Sequence, residues 1–199
     1  GQMEEAVTLL NEAYEQRRTI LGVAHVDTLR SMNAYGWLLK QQGKYDVALP
    51  LLQEALASRR STLGNTAPDT LTSMNCLGRL LEEQGNFREA LLLFEEGVNG
   101  RRLVFGDKHP KTMISLNNFG RLLAGAGRLD EAIMLLEEVL AYLVETKGKD
   151  DKATAGAQRN VDLLRSARED ERGADAGVGA DGDAARRKVL FEQLKSMDM

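Results

Sequence analysis

The chain has 199 residues, 28% of them charged and 43% hydrophobic, with a formal net charge of −4. That length suits one domain and a tail, and the composition is too apolar for wholesale disorder. The acidic balance argues against nucleic-acid or membrane-surface partners, whose own surfaces are anionic.

One period organises the chain. Shifted by 42 residues, the sequence lands on itself: Gly1, Gly43, Gly85 and Gly127 align, as do Ala6, Ala48, Ala90 and Ala132. Arg17-Arg18 falls on Arg59-Arg60 and Arg101-Arg102, Asn33 on Asn75 and Asn117, and Gly36 on Gly78 and Gly120. Fixed-spacing self-similarity is the signature of a repeat architecture, in which each unit buries its apolar face against its neighbours.

In chain order, residues 1–21 read as an orphan second helix of a truncated repeat. Residues 22–63 form repeat 1, with an apolar stripe Leu29, Met32, Tyr35, Leu39, then a second stripe Tyr45, Ala48, Leu52, Ala55, Leu56. The spacing is helical. Asp27 or Thr28, and Asp69 or Thr70, suit N-caps, while Gly43, Gly85 and Gly127 suit helix C-termini. Pro50 lies near a helix start, where a mild kink is expected. Repeats 2 and 3 occupy 64–105 and 106–148. Residues 149–168 form a degenerate capping helix, and the Gly, Ala and Asp of 169–183 read as a flexible linker. Residues 184–199 form a short amphipathic helix with Leu190, Leu194 and Met197 in register. This helix is either an exposed tail or an internal ligand folded back over the groove or an open apolar edge.

The pattern Met32-x2-Tyr35-Gly36-x2-Leu39, then Gly43-x-Tyr45-x2-Ala48-x3-Leu52-x2-Ala55, resembles the tetratricopeptide repeat. The usual repeat has about 34 residues. The longer unit here, with its Phe105-Gly106-x2-His109-Pro110 loop and Leu116-Asn117-Asn118, is similar to the repeats of kinesin light chains. The resemblance implies an all-α solenoid, a right-handed superhelix of antiparallel helix pairs, with first helices lining a concave groove.

That resemblance maps a peptide-binding groove onto Asn33, Asn75 and Asn117 in one row and Trp37, Arg79 and Arg121 in the next, with Arg30 and Lys40 at the edges. Asparagine inside a helix costs roughly half a kcal/mol relative to alanine. Its amide both donates and accepts, which suits either gripping an extended peptide backbone or bonding neighbouring helices in register. The arginines suit carboxylates, and Trp37 offers a stacking face. The implied function is a non-catalytic, kinesin light chain-like adaptor whose groove holds an extended acidic peptide of a protein partner. A structural spacer or assembly segment, self-associating through the open N-terminal helix, is the alternative. The Arg pairs read as a basic ridge or as helix-end charges paired with Glu.

Other chemistry finds little material. Cys76 is the single cysteine, which fits a reducing compartment and reads as a buried thiol. His25 and His109 occupy one repeat position in loops and suit bonding backbone groups between units; no metal site or cofactor is expected. Glu82-Glu83, Glu95-Glu96 and Glu137-Glu138 read as solvated faces. Gly177-x-Gly179-x-x-Gly182 spells a dinucleotide fingerprint but follows no strand and opens no helix. No apolar run approaches the ~20 residues of a membrane span. With no secretory signal visible, a cytoplasmic protein that is not an enzyme is expected.

Overall fold

The computed structural model describes residues 2–174 and 189–194, and every regular element among them is a helix. In order these are α1 (Gln2–Leu21), α2 (Val26–Gln41), α3 (Tyr45–Leu63), α4 (Pro68–Glu83), α5 (Phe87–Phe105), α6 (Pro110–Gly125), α7 (Leu129–Lys147) and α8 (Lys152–Ala174). A last helical stretch, α9, covers residues 189–194. The chain divides into two compact units, Gly1–Val104 and Phe105–Met199.

Positive φ occurs at Gly22, Gly43, Gly64, Gly85, Gly106, Gly127 and Gly148, one every 21 residues. The joints are therefore spaced at half the sequence period, one per helix. Gly43 shows one form of the joint, shared with Gly85 and Gly127. Its N–H bonds to Lys40 O (2.9 Å), and the Lys44 N–H reaches back to Leu39 O (2.9 Å). This is a Schellman closure, which needs a left-handed residue that only glycine adopts without strain.

In the first unit, α1 packs on α2, α2 on α3, and α3 on α4. Tyr14, Leu29, Met32 and Ala55 form a buried cluster flanked by Tyr35 and Leu51. The helix pairs close through small residues. A methyl added at Gly36 would lie 2.9 Å from Leu52 Cδ2, and one at Gly100 would lie 2.5 Å from Leu71 Cδ2. Each leucine buried this way contributes roughly 1.5–3 kcal/mol. α3 runs through Pro50 without interruption.

The N-caps differ from the sequence expectation. His25 caps α2, its Nδ1 accepting from the Asp27 N–H (3.2 Å), and His109 caps α6, accepting from the Lys111 N–H (3.1 Å). α4 is preceded by Ala67 at the cap position, with no side-chain bond. Asp27 and Asp69 lie in the first helical turn, and Thr28 and Thr70 are fully buried. The histidines do bond backbone, but at their own helix starts.

In the second unit, α6 packs on α7 and α7 on α8. Gly120 admits Leu136, as Gly36 admits Leu52. α8 continues past Arg168 to Ala174, so the expected linker from 169 starts inside a helix. Its charges explain the extension: Arg165 binds Glu137 (2.7 Å), and Arg168 (3.0 Å) and Arg172 (3.8 Å) both reach Asp130 at the start of α7. In α9, Leu190 and Phe191 are buried and Leu194 is fully so. The remainder of 175–199, with Met197 and the Gly177–Gly182 motif, lies outside the described residues.

Candidate functional site

The three asparagines of the first helices have different surroundings. Asn33 is 8% exposed and spends its amide at both ends: Ser73 Oγ donates to its Oδ1 (3.0 Å), and its Nδ2 donates to Cys76 Sγ (3.5 Å). Both partners lie on α4, so this amide bonds α2 to its neighbour. Asn75 is half-buried on α4, and Asn117 is buried on α6 with Arg121 one turn beyond it.

Ser73 belongs to a longer chain of donors that the sequence reading missed. Arg59, on α3 and 3% exposed, donates from Nη1 to Ser73 Oγ (2.6 Å) and to Asp69 O (2.9 Å), and from Nη2 to Leu29 O (3.4 Å). One guanidinium thus holds α2, α3 and α4. Burial pushes the Arg59 pKa down, opposed chiefly by the Asp69 carboxylate. Arg17 makes the equivalent bond to Ser31, and the buried Arg101 donates to Leu71 O (3.1 Å). The second member of the first two pairs behaves differently: Arg18 meets Glu15 and Arg60 meets Glu96. Neighbours on a helix point about 100° apart, so one arginine turns inward and the other outward. The signal was available, because serine recurs at 31, 73 and 115 with the same period as the arginines.

Trp37 brings two cations of the first unit together. It is half-buried on α2, with Lys40 Nζ 4.5 Å and the Arg79 guanidinium carbon 5.0 Å from its ring centroid. Both are cation–π distances. Lys40 is 2% exposed and ion-paired with Glu83, so it is not the edge residue expected from its position. Glu83 also accepts from the Tyr45 hydroxyl (3.1 Å), and Glu82 is buried, so this carboxylate pair is no solvated face. Among the described residues, the Arg79 guanidinium meets the Trp37 ring and no carboxylate. Arg30 is exposed and reaches both Asp27 (3.5 Å) and Asp69 (3.4 Å). The arrangement is an aromatic face with one cation already neutralised and one available, suited to an anionic ligand.

Cys76 is buried, and burial raises its pKa, which holds it as a thiol. Among the described residues no cluster of His, Cys, Asp or Glu could hold a metal ion, and no helix is long and apolar enough to cross a membrane.

Stacked helix pairs with glycine joints and small residues at the crossings define a helical-repeat protein. The Tetratricopeptide repeat family model matches residues 1–61, 41–103 and 69–143, and the chain belongs to that family. Solved structures agree on the fold. A candidate kinesin light chain of Podosopora anserina with nearly identical TPR-like repeats superposes with TM-score 0.74 at 24% identity, over 99% of this chain and 87% of that one. A point variant of that protein gives 0.75 at the same identity and coverage. BtubC (BKLC) from P. vanneervenii gives 0.72 at 17% identity, over 99% of this chain and 73% of that one. The fold is thus an all-α tetratricopeptide solenoid, similar to those of these solved structures. No curated protein sequence matches the chain.

Proposed function

We propose that this chain is a non-catalytic, cytoplasmic interaction scaffold that holds an acidic segment of a partner protein against the first helices. Tetratricopeptide repeats generally mediate protein–protein contacts, and the observation that carries the finer reading is the Trp37–Arg79 pair. An incoming carboxylate finds a guanidinium already oriented by the indole face and not spent on an internal acid. The ligand's own aromatic or apolar group can lie on the exposed part of Trp37. In this reading Asn75, one turn before Arg79 on α4, bonds the ligand backbone. Asn117 and Arg121 hold the equivalent repeat positions in the second unit, while Asn33, Lys40 and Arg30 support the site through internal bonds.

The test is a peptide-library screen of the full chain at two salt concentrations. Acidic hits whose affinity falls with salt, and which weaken about tenfold (about 1.4 kcal/mol) in Arg79→Ala, are expected. Uniformly apolar hits, or acidic hits indifferent to Arg79→Ala, would remove the reading.

A structural spacer is the second reading, favoured by Asn33, whose amide serves register rather than a guest. In that case Arg79→Ala changes nothing, whereas making Val7 and Leu10 polar abolishes self-association.

A further inference from the structure

The third repeat departs from its siblings at one place. The first helices end Lys40-Gln41-Gln42 in repeat 1 and Glu82-Glu83-Gln84 in repeat 2, but Ala124-Gly125-Ala126 in repeat 3. In the first unit these long side chains have work to do, since Lys40 and Glu83 form the ion pair beside Trp37. On α6 they are absent, and the bared backbone receives Phe191. A methyl built at Gly125 would lie 2.6 Å from the Phe191 ring, so any larger residue there would force the ring to shift.

The occupant is equally specific. Leu190, Phe191 and Leu194 are buried, while Val189, Glu192 and Gln193 are exposed, which places the apolar groups on one face of α9. A helix this short is not stable by itself in water, so its seat supplies the stabilisation. Substitution and occupant match: side chains are deleted where an aromatic ring enters.

We propose that the C-terminal end of α6, centred on Ala124-Gly125-Ala126, is a docking site for a short amphipathic helix of Leu-Phe-x-x-Leu pattern. Residues 189–194 of this chain are its resident occupant. The tail is a tethered ligand, held at an effective concentration on the order of millimolar by the covalent connection. The same sequence supplied on a separate molecule fits the same seat once the tether's copy is withdrawn. This site is distinct from the one around Trp37 and stands independently of it.

The experiment uses the full chain and a fluorescent synthetic peptide of residues 184–199. In a full-length variant carrying Leu190→Glu, Phe191→Glu and Leu194→Glu, saturable peptide binding is expected, at least about tenfold tighter than to the native chain. Adding Gly125→Ala to that variant should weaken binding severalfold, and Gly125→Glu, which restores the repeat 2 residue, should abolish it. Circular dichroism monitors folding. If Gly125→Glu loses helicity, Gly125→Ala decides. Absence of binding to the opened variant, equal binding to native and opened chains, or indifference to the decisive Gly125 substitution would each overturn the proposal.

Discussion

Arg59 on α3 donates to Ser73 on α4 across 2.6 Å, and neither residue is exposed. The same two repeat positions later hold Leu143 and Ala157, both buried. The pair therefore changes together, polar with polar and apolar with apolar. Removing one partner of a buried charged contact strands the other, whereas replacing both with apolar groups is often neutral. Arg59→Ala leaves Ser73 Oγ, Asp69 O and Leu29 O without this donor and should cost about 3 kcal/mol in chemical denaturation. Arg59→Leu with Ser73→Ala should recover at least half of that loss, and strict additivity of the two single changes would contradict the coupling.

The N-cap of α4, Ala67, provides no side-chain bond, although the equivalent His25 and His109 both provide one. Ala67 already has the extended backbone of a cap residue, with φ −61 and ψ 138. Ala67→Ser should therefore stabilise the chain by about 1 kcal/mol. An unchanged or lowered melting temperature would show that the site cannot use the hydroxyl.

Cys76 is shielded, and burial raises its pKa. Thiolate is the reactive form, so modification by an aromatic disulfide reagent should proceed through opening of α4. The native rate is expected to fall at least about a thousandfold below that of the denatured chain. A native rate near the denatured one would mean that the thiol is reachable without opening.

The Tyr45 hydroxyl donates to Glu83, and this bond, ahead of the carboxylate's charge, raises the tyrosine pKa. A group whose pKa is raised on folding stabilises the fold fully below its unfolded value, near about 10, and loses that contribution as pH rises through the folded value. Ultraviolet titration should find this phenol ionising late, and Glu83→Gln should bring it back toward the ordinary value. Unchanged titration in that variant would place the cause elsewhere.

Helix positions, the repeat length and the glycine joints were legible because they rest on spacing alone. Direction was less legible. Arg59 and Arg60 carry the same charge, yet one faces carbonyls and a hydroxyl while the other faces Glu96. Asn33 was readable as a polar helix residue with two possible duties, and its hydrogen bonds to Ser73 and Cys76 depend on how α4 stacks. The caps were misread because Asp and Thr outrank His as capping residues by preference, while the loop places His25 at the boundary. Lys40 and Glu82 read as solvent-bound because burial of a charged side chain depends on neighbours that no local pattern announces.

Left-handed glycines recur every 21 residues, from Gly22 to Gly148. Chain segments cut at alternate glycines are consequently interchangeable cassettes: their ends share one backbone geometry, so excision or duplication of a whole cassette leaves each splice relaxed. Recombination can lengthen or shorten such a gene in full steps, whereas an indel of one codon would rotate a helix against its neighbour and be purged.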